Sequence, residues 1–536
     1  MLYYVEFFNF KQGQRMFEKY ALKISYVIAA CCTILATCLS TEIYDDIANW
    51  YAPMTRAFIN GNYDEAFNAN VPTLNVNIAG IIGKILPLSP FSCLILTGCF
   101  FFIFTIPLVY YITNFVLKDK NKASLAALLY TIAPQIIRFS VNGLLNSSKN
   151  FFLCAIIALL ISIYRKNSFF KNILLGLVFA FTAMSRAECI AFIPFFGIAY
   201  LIILIRKIVK NDLKKDNVNV KKAVFVSISS IFLLFFSFTL TSTPKLHEVY
   251  KQTNIPSFDY RQSRIIGKIL NIKTTTPKHN FVERAGFDDI SKSQTKFIKS
   301  FKIINIIKAV TKGSYTLYFI LALIGLLMLI IKKKFNQRYL WLILFCIINF
   351  SIIIFFTNSS RYYSINTILL MPLTINGIYF ILELLKSKPI IINFWNKKHP
   401  LRYMLYVGLI SIAIIQIIHG MKKTFSTRDK GQYLAGKWLA KEYKNNPSLK
   451  NKKLLTTSAQ IGYYADVDIF YSIAYTNDQI LNKNLDKLKN FYFIAIRNRK
   501  NDKLISFLKK QPFLEIVKCN FDNKVTLFRN KFLNYK

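Results

Sequence analysis

The chain has 536 residues, 54% of them hydrophobic with 49 Phe, a formal charge of +44 and a positive mean hydropathy. That balance excludes a string of ordinary soluble domains and points to a polytopic membrane protein. Lys and Arg are broken into short clusters between apolar runs, which also excludes a nucleic-acid-binding domain.

The first 23 residues carry Lys11, Arg15, Lys19 and Lys23, and the apolar run from Ile24 to Leu39 follows. Ten further apolar segments follow it, so it reads as an uncleaved first span rather than a removed signal peptide. The spans are expected at 24–40, 91–117, 123–137, 150–164, 169–185, 189–205, 223–241, 314–331, 339–357, 363–385 and 403–419. A crossing helix needs about 20 apolar residues. The segments at 123 and 150 are shorter, and a re-entrant pair there is the alternative to two full crossings.

Positively charged short loops stay cytoplasmic. Lys118, Lys120 and Lys122, then Arg165, Lys166 and Lys171, then the clusters at 206–222, 332–338 and 386–402 fall on the side of the N-terminus. The alternate loops are poorer, holding Arg56 and Lys84, then Arg138 and Lys149, then Arg186, then Arg361. The sequence therefore predicts a polytopic all-α membrane protein of about 11 transmembrane helices, its N-terminus cytoplasmic, over residues 1–420 with outer loops 41–90 and 242–311. Residues 421–536 read as a small extracytoplasmic α/β domain: helical GQYLAGKWLAKEY and DKLISFLKK alternate with strand-like KKLLTTSA, FYFIAIRN, FLEIVKC and KVTLFRN.

Most of the nine Cys lie in apolar runs, which is no disulfide framework. The four His lack zinc-site spacing, so the sequence specifies no metal or other cofactor, although a divalent ion held weakly by carboxylates stays open. No GxGxxG or GxxxxGK[ST] occurs, which disfavours a nucleotide-driven pump.

The polar features gather on the outer side. They are Asp45 and Asp46 after the first span, Asn142, Asn146 and Lys149 after the third, Ser185-Arg186-Ala187-Glu188 after the fifth, and Asn358-Ser359-Ser360-Arg361-Tyr362 after the ninth. Each has a plain structural alternative. The acidic pair can cap an amphipathic helix whose apolar Ile47, Trp50 and Met54 suit the membrane interface. Arg186 and Glu188 can simply pair, Arg361-Tyr362 can anchor a helix end, and the 242–311 loop with Arg264 can rest on anionic headgroups. Charges at membrane depth are costly, so their convergence on one face is the functional hint. The chemistry that uses such a set is glycosyl transfer from a polyprenyl-phosphate sugar: a carboxylate base for the acceptor hydroxyl and fixed positive charge for the phosphate leaving group.

The order of these motifs resembles the GT-C superfamily of integral-membrane glycosyltransferases, among them relatives of protein O-mannosyltransferases and lipid A aminoarabinose transferases. The resembling residues are Asp45-Asp46 followed by Trp50-Tyr51 and Asn60-Gly61-Asn62, then Arg186-Ala187-Glu188-Cys189, Arg361-Tyr362, and Gly436-Lys437-Trp438-Leu439 opening the outer domain. The resemblance implies a sugar carried on a polyprenyl phosphate, inversion at the anomeric carbon, Asp45 as base and Asp46 as its orienting neighbour. Arg186, Glu188, Arg361, Tyr362 and Arg264 are the candidates for holding donor phosphate or sugar, and a glycan, lipid or protein supplies the acceptor hydroxyl. Where many relatives have Pro-Pro this chain has Val71-Pro72-Thr73, Asn146-Ser147-Ser148-Lys149 stands where many have an acidic residue, and Cys189 replaces the usual Gly. The competing classes are a transporter or lipid flippase, which calls for ionisable residues in mid-span, and an inactive assembly subunit of the same fold.

Overall fold

The computed structural model describes residues 2–40, 43, 47–67, 71–212, 217–272, 275, 282–284, 315–356, 363–387, 399–422, 430–449, 452–467, 470–472, 488–498, 502–517, 521 and 524–535. Helix α1 (Leu2–Leu39) leads to a π-helical turn, Ile47–Tyr51, that runs into α2 (Ala52–Ile59), α3 (Tyr63–Ala66) and α4 (Leu74–Ile85). Ile47 and Met54 are fully buried, so this segment packs into the protein and does not lie along a lipid surface as its amphipathic pattern suggests.

The membrane helices start and stop where local chemistry dictates. In α5 (Pro90–Leu117) the Ser89 hydroxyl caps the Ser92 amide at 3.1 Å with Pro at the first position, and Lys118 closes it at φ 54°. Asp119 caps α6 (Lys120–Ile132) through the Asn121 and Lys122 amides, and Pro134 then breaks it into α7 (Pro134–Ser140) with a 59° bend. The re-entrant or broken element is thus confined to the third apolar segment. Its expected mate, α8 (Asn146–Arg165), is a 20-residue helix long enough to cross, because it starts on Asn146 to Lys149, polar residues buried in protein and not in lipid.

Next come α9 (Phe169–Ser185), a 3-10 turn at Ala187–Phe192, α10 (Ile193–Asp212) and α11 (Asn217–Thr253). The last of these carries on through Pro244 well past the expected end of its span at 241, so the second outer segment opens as helix, not loop. After α12 (Tyr260–Leu270) and strand β1 (Val282–Arg284) come α13 (Thr316–Ile331), α14 (Gln337–Phe356), α15 (Ser364–Leu369), α16 (Met371–Ser387) and α17 (His399–Met421). The expected apolar segments fall on helices, although 123–137 is divided between α6 and α7, 363–385 between α15 and α16, and 189–205 begins in the 3-10 turn before α10. Among the described residues, five helices are long and apolar enough to cross a membrane, and the bent α6–α7 pair makes a sixth if it is one span. Large side chains such as Ile34, Phe225, Phe232 and Ile415 project outward, as a lipid-facing surface requires.

Between helices the buried polar groups find one another. Asn172 and Asn167 both donate to the Ser230 hydroxyl, at 2.9 and 3.0 Å, and Tyr200 donates to Asn172 at 2.9 Å, which ties α9 and α10 to α11. The backbones of α13 and α16 meet at Gly325 and Gly377, where any side chain would run into the Leu373 or Leu321 carbonyl.

The C-terminal unit is the expected α/β arrangement. Helices α18 (Lys430–Asn445), α19 (Ala459–Tyr464) and α20 (Asp502–Lys509) flank strands β2 (Leu454–Thr456), β3 (Phe470–Ser472), β4 (Phe493–Arg497), β5 (Leu514–Ile516) and β6 (Val525–Asn530). The sheet order is β1-β3-β2-β4-β6-β5, parallel through β4 and antiparallel beyond. Its far edge is β1, so a strand from the long segment before α13 is built into this unit. The unit also grips the first outer segment. Gln460 of α19 donates to the Ile43 carbonyl, and Arg56 of α2 pairs with Asp466 at 2.8 Å while lying over the Tyr463 ring.

Candidate active site

Two chain breaks bring charge together. Arg186 adopts extended backbone at φ −158°, ending α9 and starting the 3-10 turn that carries Glu188. On the first turn of α8, Asn146 and Lys149 share a helical face at i and i+3. Arg186 Nε donates to Glu188 Oε1 at 2.6 Å, its Nη1 donates to Asn146 Oδ1 at 3.0 Å, and Lys149 Nζ lies 3.7 Å from the same Glu188 oxygen. Lys149 also sits 5.7 Å from the centre of the Phe192 ring.

All four side chains are buried, Lys149 completely. Glu188 is set against two cations in a low-dielectric setting, where such pairing is strong. Glu188 holds the cations in place, and Arg186 bridges it to α8. Ser185 supports the turn by donating to the Thr182 carbonyl at 2.8 Å, and the Cys189 thiol lies 3.7 Å from the same hydroxyl.

From this triad a polar seam runs along α8. Asn150 accepts from Ser364 at 3.2 Å, and Asn349 donates to Asn366 at 2.9 Å. Beside it lies a narrow apolar crevice of about 10 Å³ lined by Leu153, Phe192, Phe345, Asn349, Ile365 and Leu369.

Of the residues expected in the site, the structure joins Arg186 and Glu188. Asp45, Asp46, Arg361 and Tyr362 lie outside the described residues. The flanks of the acidic pair are described: Ile43 and Ile47 are fully buried, with Ile43 bound by Gln460 and Ile47 Cδ1 3.4 Å from where a Cβ on Gly143 would sit. Ile47, the flank on the C-terminal side, therefore bears on the Asn142–Leu145 turn that leads into Asn146. Tyr363, next to the Arg361-Tyr362 pair, is buried with its ring 5.7 Å from Phe350. Arg264 is exposed on α12 and makes no ion pair among the described residues. Lys149 and Asn146 are the partners that sequence reasoning did not assign to the site. The available signal was a lone cation opening an apolar helix, which at membrane depth calls for a carboxylate. Among the described residues no group of three His, Cys, Asp or Glu is placed to hold a metal ion.

By sequence, no protein-family model and no curated protein matches the chain. By structure, ArnT of Cupriavidus metallidurans bound to undecaprenyl phosphate aligns over 94% of this chain and 97% of its own, with a TM-score of 0.52 at 8% identity. Apo ArnT aligns over the same shares with a TM-score of 0.53 at 8% identity. The Archaeoglobus fulgidus oligosaccharyltransferase, in complex with zinc and sulfate, aligns over 96% of this chain and 74% of its own, with a TM-score of 0.52 at 12% identity. The chain has the GT-C fold. The GT-C architecture extends over both the helices and the C-terminal unit, and at these identities the likeness is one of fold.

Proposed function

We propose that this multi-pass membrane protein is an inverting glycosyltransferase that moves a sugar from a polyprenyl-phosphate donor to an acceptor hydroxyl outside the cytoplasm. The observation that carries the reading is the buried triad with two cations on one carboxylate, set in a GT-C fold. Support for the lipid carrier comes from ArnT, whose structure holds undecaprenyl phosphate.

In the proposed reaction Asp45 takes the proton from the acceptor hydroxyl as that oxygen attacks the anomeric carbon. The bond from that carbon to the phosphate oxygen breaks, and the polyprenyl phosphate leaves with the electron pair. A single displacement inverts the centre. Asp46 orients or tunes Asp45. Arg186 and Lys149 stabilise the phosphate charge, with Glu188 as the positioning carboxylate, and Arg361, Tyr362 and Arg264 are assigned to the donor as well. In this reading the N-terminus lies in the cytoplasm and the C-terminal α/β unit outside, where Gln460 bonds the Ile43 carbonyl and Asp466 pairs with Arg56.

Membranes supplied with a labelled polyprenyl-phosphate sugar test the reading. Transfer is expected from the wild type and lost in Asp45→Asn with expression unchanged. Undiminished turnover by the variant removes Asp45 as the base.

A further inference from the structure

Two buried amide nitrogens, on Asn142 and Asn146, have no hydrogen-bond partner among the described residues. Asn142 Oδ1 accepts from the Leu144 backbone amide at 3.0 Å, and Asn146 Oδ1 accepts from Arg186 Nη1 at 3.0 Å. Both partners can only donate, so the oxygen end of each carboxamide is fixed and the Nδ2 end must be the donor. Among the described residues neither Nδ2 makes a hydrogen bond, although Asn142 is 4% exposed and Asn146 fully buried. Buried donors are almost always satisfied, and leaving one without an acceptor is costly.

Asn142 lies in the turn that leads into α8, and Asn146 opens that helix. Gly143 between them has φ +71°, and a Cβ there would press on Leu94 and Ile47, so the turn is held against the segment that follows the acidic pair. Asn146 meets the Arg186 guanidinium, Glu188 joins that guanidinium to the Lys149 ammonium, and Asn142 stands four residues before Asn146. A wall of donors matches a ligand that presents oxygens. Two sources have that chemistry, the oxygens of a phosphate and the hydroxyl or ring oxygens of a sugar.

We propose that Asn142 and Asn146 form an oxygen-binding subsite, their Nδ2 groups donating to the head of the lipid-linked sugar beside Arg186 and Lys149. The identity of that ligand rests on the glycosyltransferase reading above; the vacant donors do not.

The test uses the full chain in lipid nanodiscs with two probes, undecaprenyl phosphate and undecaprenyl-phosphate-linked hexose. Asn142→Asp and Asn146→Asp keep an oxygen for Leu144 and Arg186 but replace the donor, and Asn142→Leu removes it without adding charge. Thermal melting of each variant reports folding. All three are expected to bind at least one probe tenfold or more weakly than wild type. An equal loss for both probes assigns the subsite to phosphate oxygens, and a loss for the hexose probe alone assigns it to sugar oxygens. Unchanged affinity for both probes in Asn142→Leu and Asn146→Asp overturns the proposal. Wild type that binds neither probe overturns the proposed function and this ligand with it.

Discussion

Arg186 Nε and Glu188 Oε1 lie 2.6 Å apart, and the same carboxylate oxygen takes Lys149 from another helix at 3.7 Å. One acidic side chain thus holds two buried cations and joins the end of α9 to the start of α8. Removing one member of a buried ionic set leaves uncompensated charge, at a cost of about 3–5 kcal/mol. Glu188→Gln is therefore expected to lower the melting temperature in detergent sharply. Adding Lys149→Met to Glu188→Gln is expected to cost less than the sum of the two single losses, because both substitutions remove the same ion pair. A melting temperature unmoved by Glu188→Gln would show that the set does not act as a unit.

Arg186 makes two directed contacts through one planar group, to Glu188 and to Asn146. Lysine keeps the charge and cannot make both. Arg186→Lys is expected to retain most of the fold's stability while weakening binding of a polyprenyl-phosphate donor by about tenfold, the scale of a lost charge-assisted hydrogen bond. Equilibrium binding in nanodiscs reads it directly. Equal affinity in Arg186→Lys would mean that only charge matters at this position.

Helix positions and the C-terminal α/β pattern were legible because hydropathy and turn residues act locally: Pro134, Ser89 and Asp119 mark ends that the helices respect. The start of α8 was not. Asn146 to Asn150 look like loop by polarity, and only tertiary burial beside Glu188 makes them the first turns of a helix. Pairing of Arg186 with Glu188 was readable from their spacing, whereas the arrival of Lys149, 39 positions away from Glu188 (188 minus 149), depends on how α8 and α9 pack. Likewise, nothing in Val282 to Arg284 signals that it completes a sheet whose other strands lie beyond residue 450.

Gln460 is a buried side chain of the C-terminal unit that donates to the Ile43 carbonyl, three positions before Asp46 (46 minus 43). Arg56 and Asp466 pair nearby, with Asp466 largely exposed. An exposed pair contributes less than about 1 kcal/mol, whereas a buried acceptor that loses its donor costs about 1–3 kcal/mol. Gln460→Leu is thus expected to raise amide hydrogen exchange across residues 47–59 and to slow sugar transfer, while Asp466→Asn leaves both nearly unchanged. The reverse order of effects would place the docking in the exposed pair.

Gly325 and Gly377 set how closely α13 and α16 approach. A Cβ on Gly325 would meet the Leu373 carbonyl, and one on Gly377 the Leu321 carbonyl, both backbone atoms that cannot swing aside. The helices must part to admit a methyl group, and overpacking of that kind costs about 1–3 kcal/mol. Gly325→Ala and Gly377→Ala are each expected to lower the melting temperature. Once one substitution has separated the helices, the second meets more room, so the double variant should lose less than the sum of the two singles. Strict additivity in the melting series would show instead that each glycine relaxes its own site without moving the helix pair.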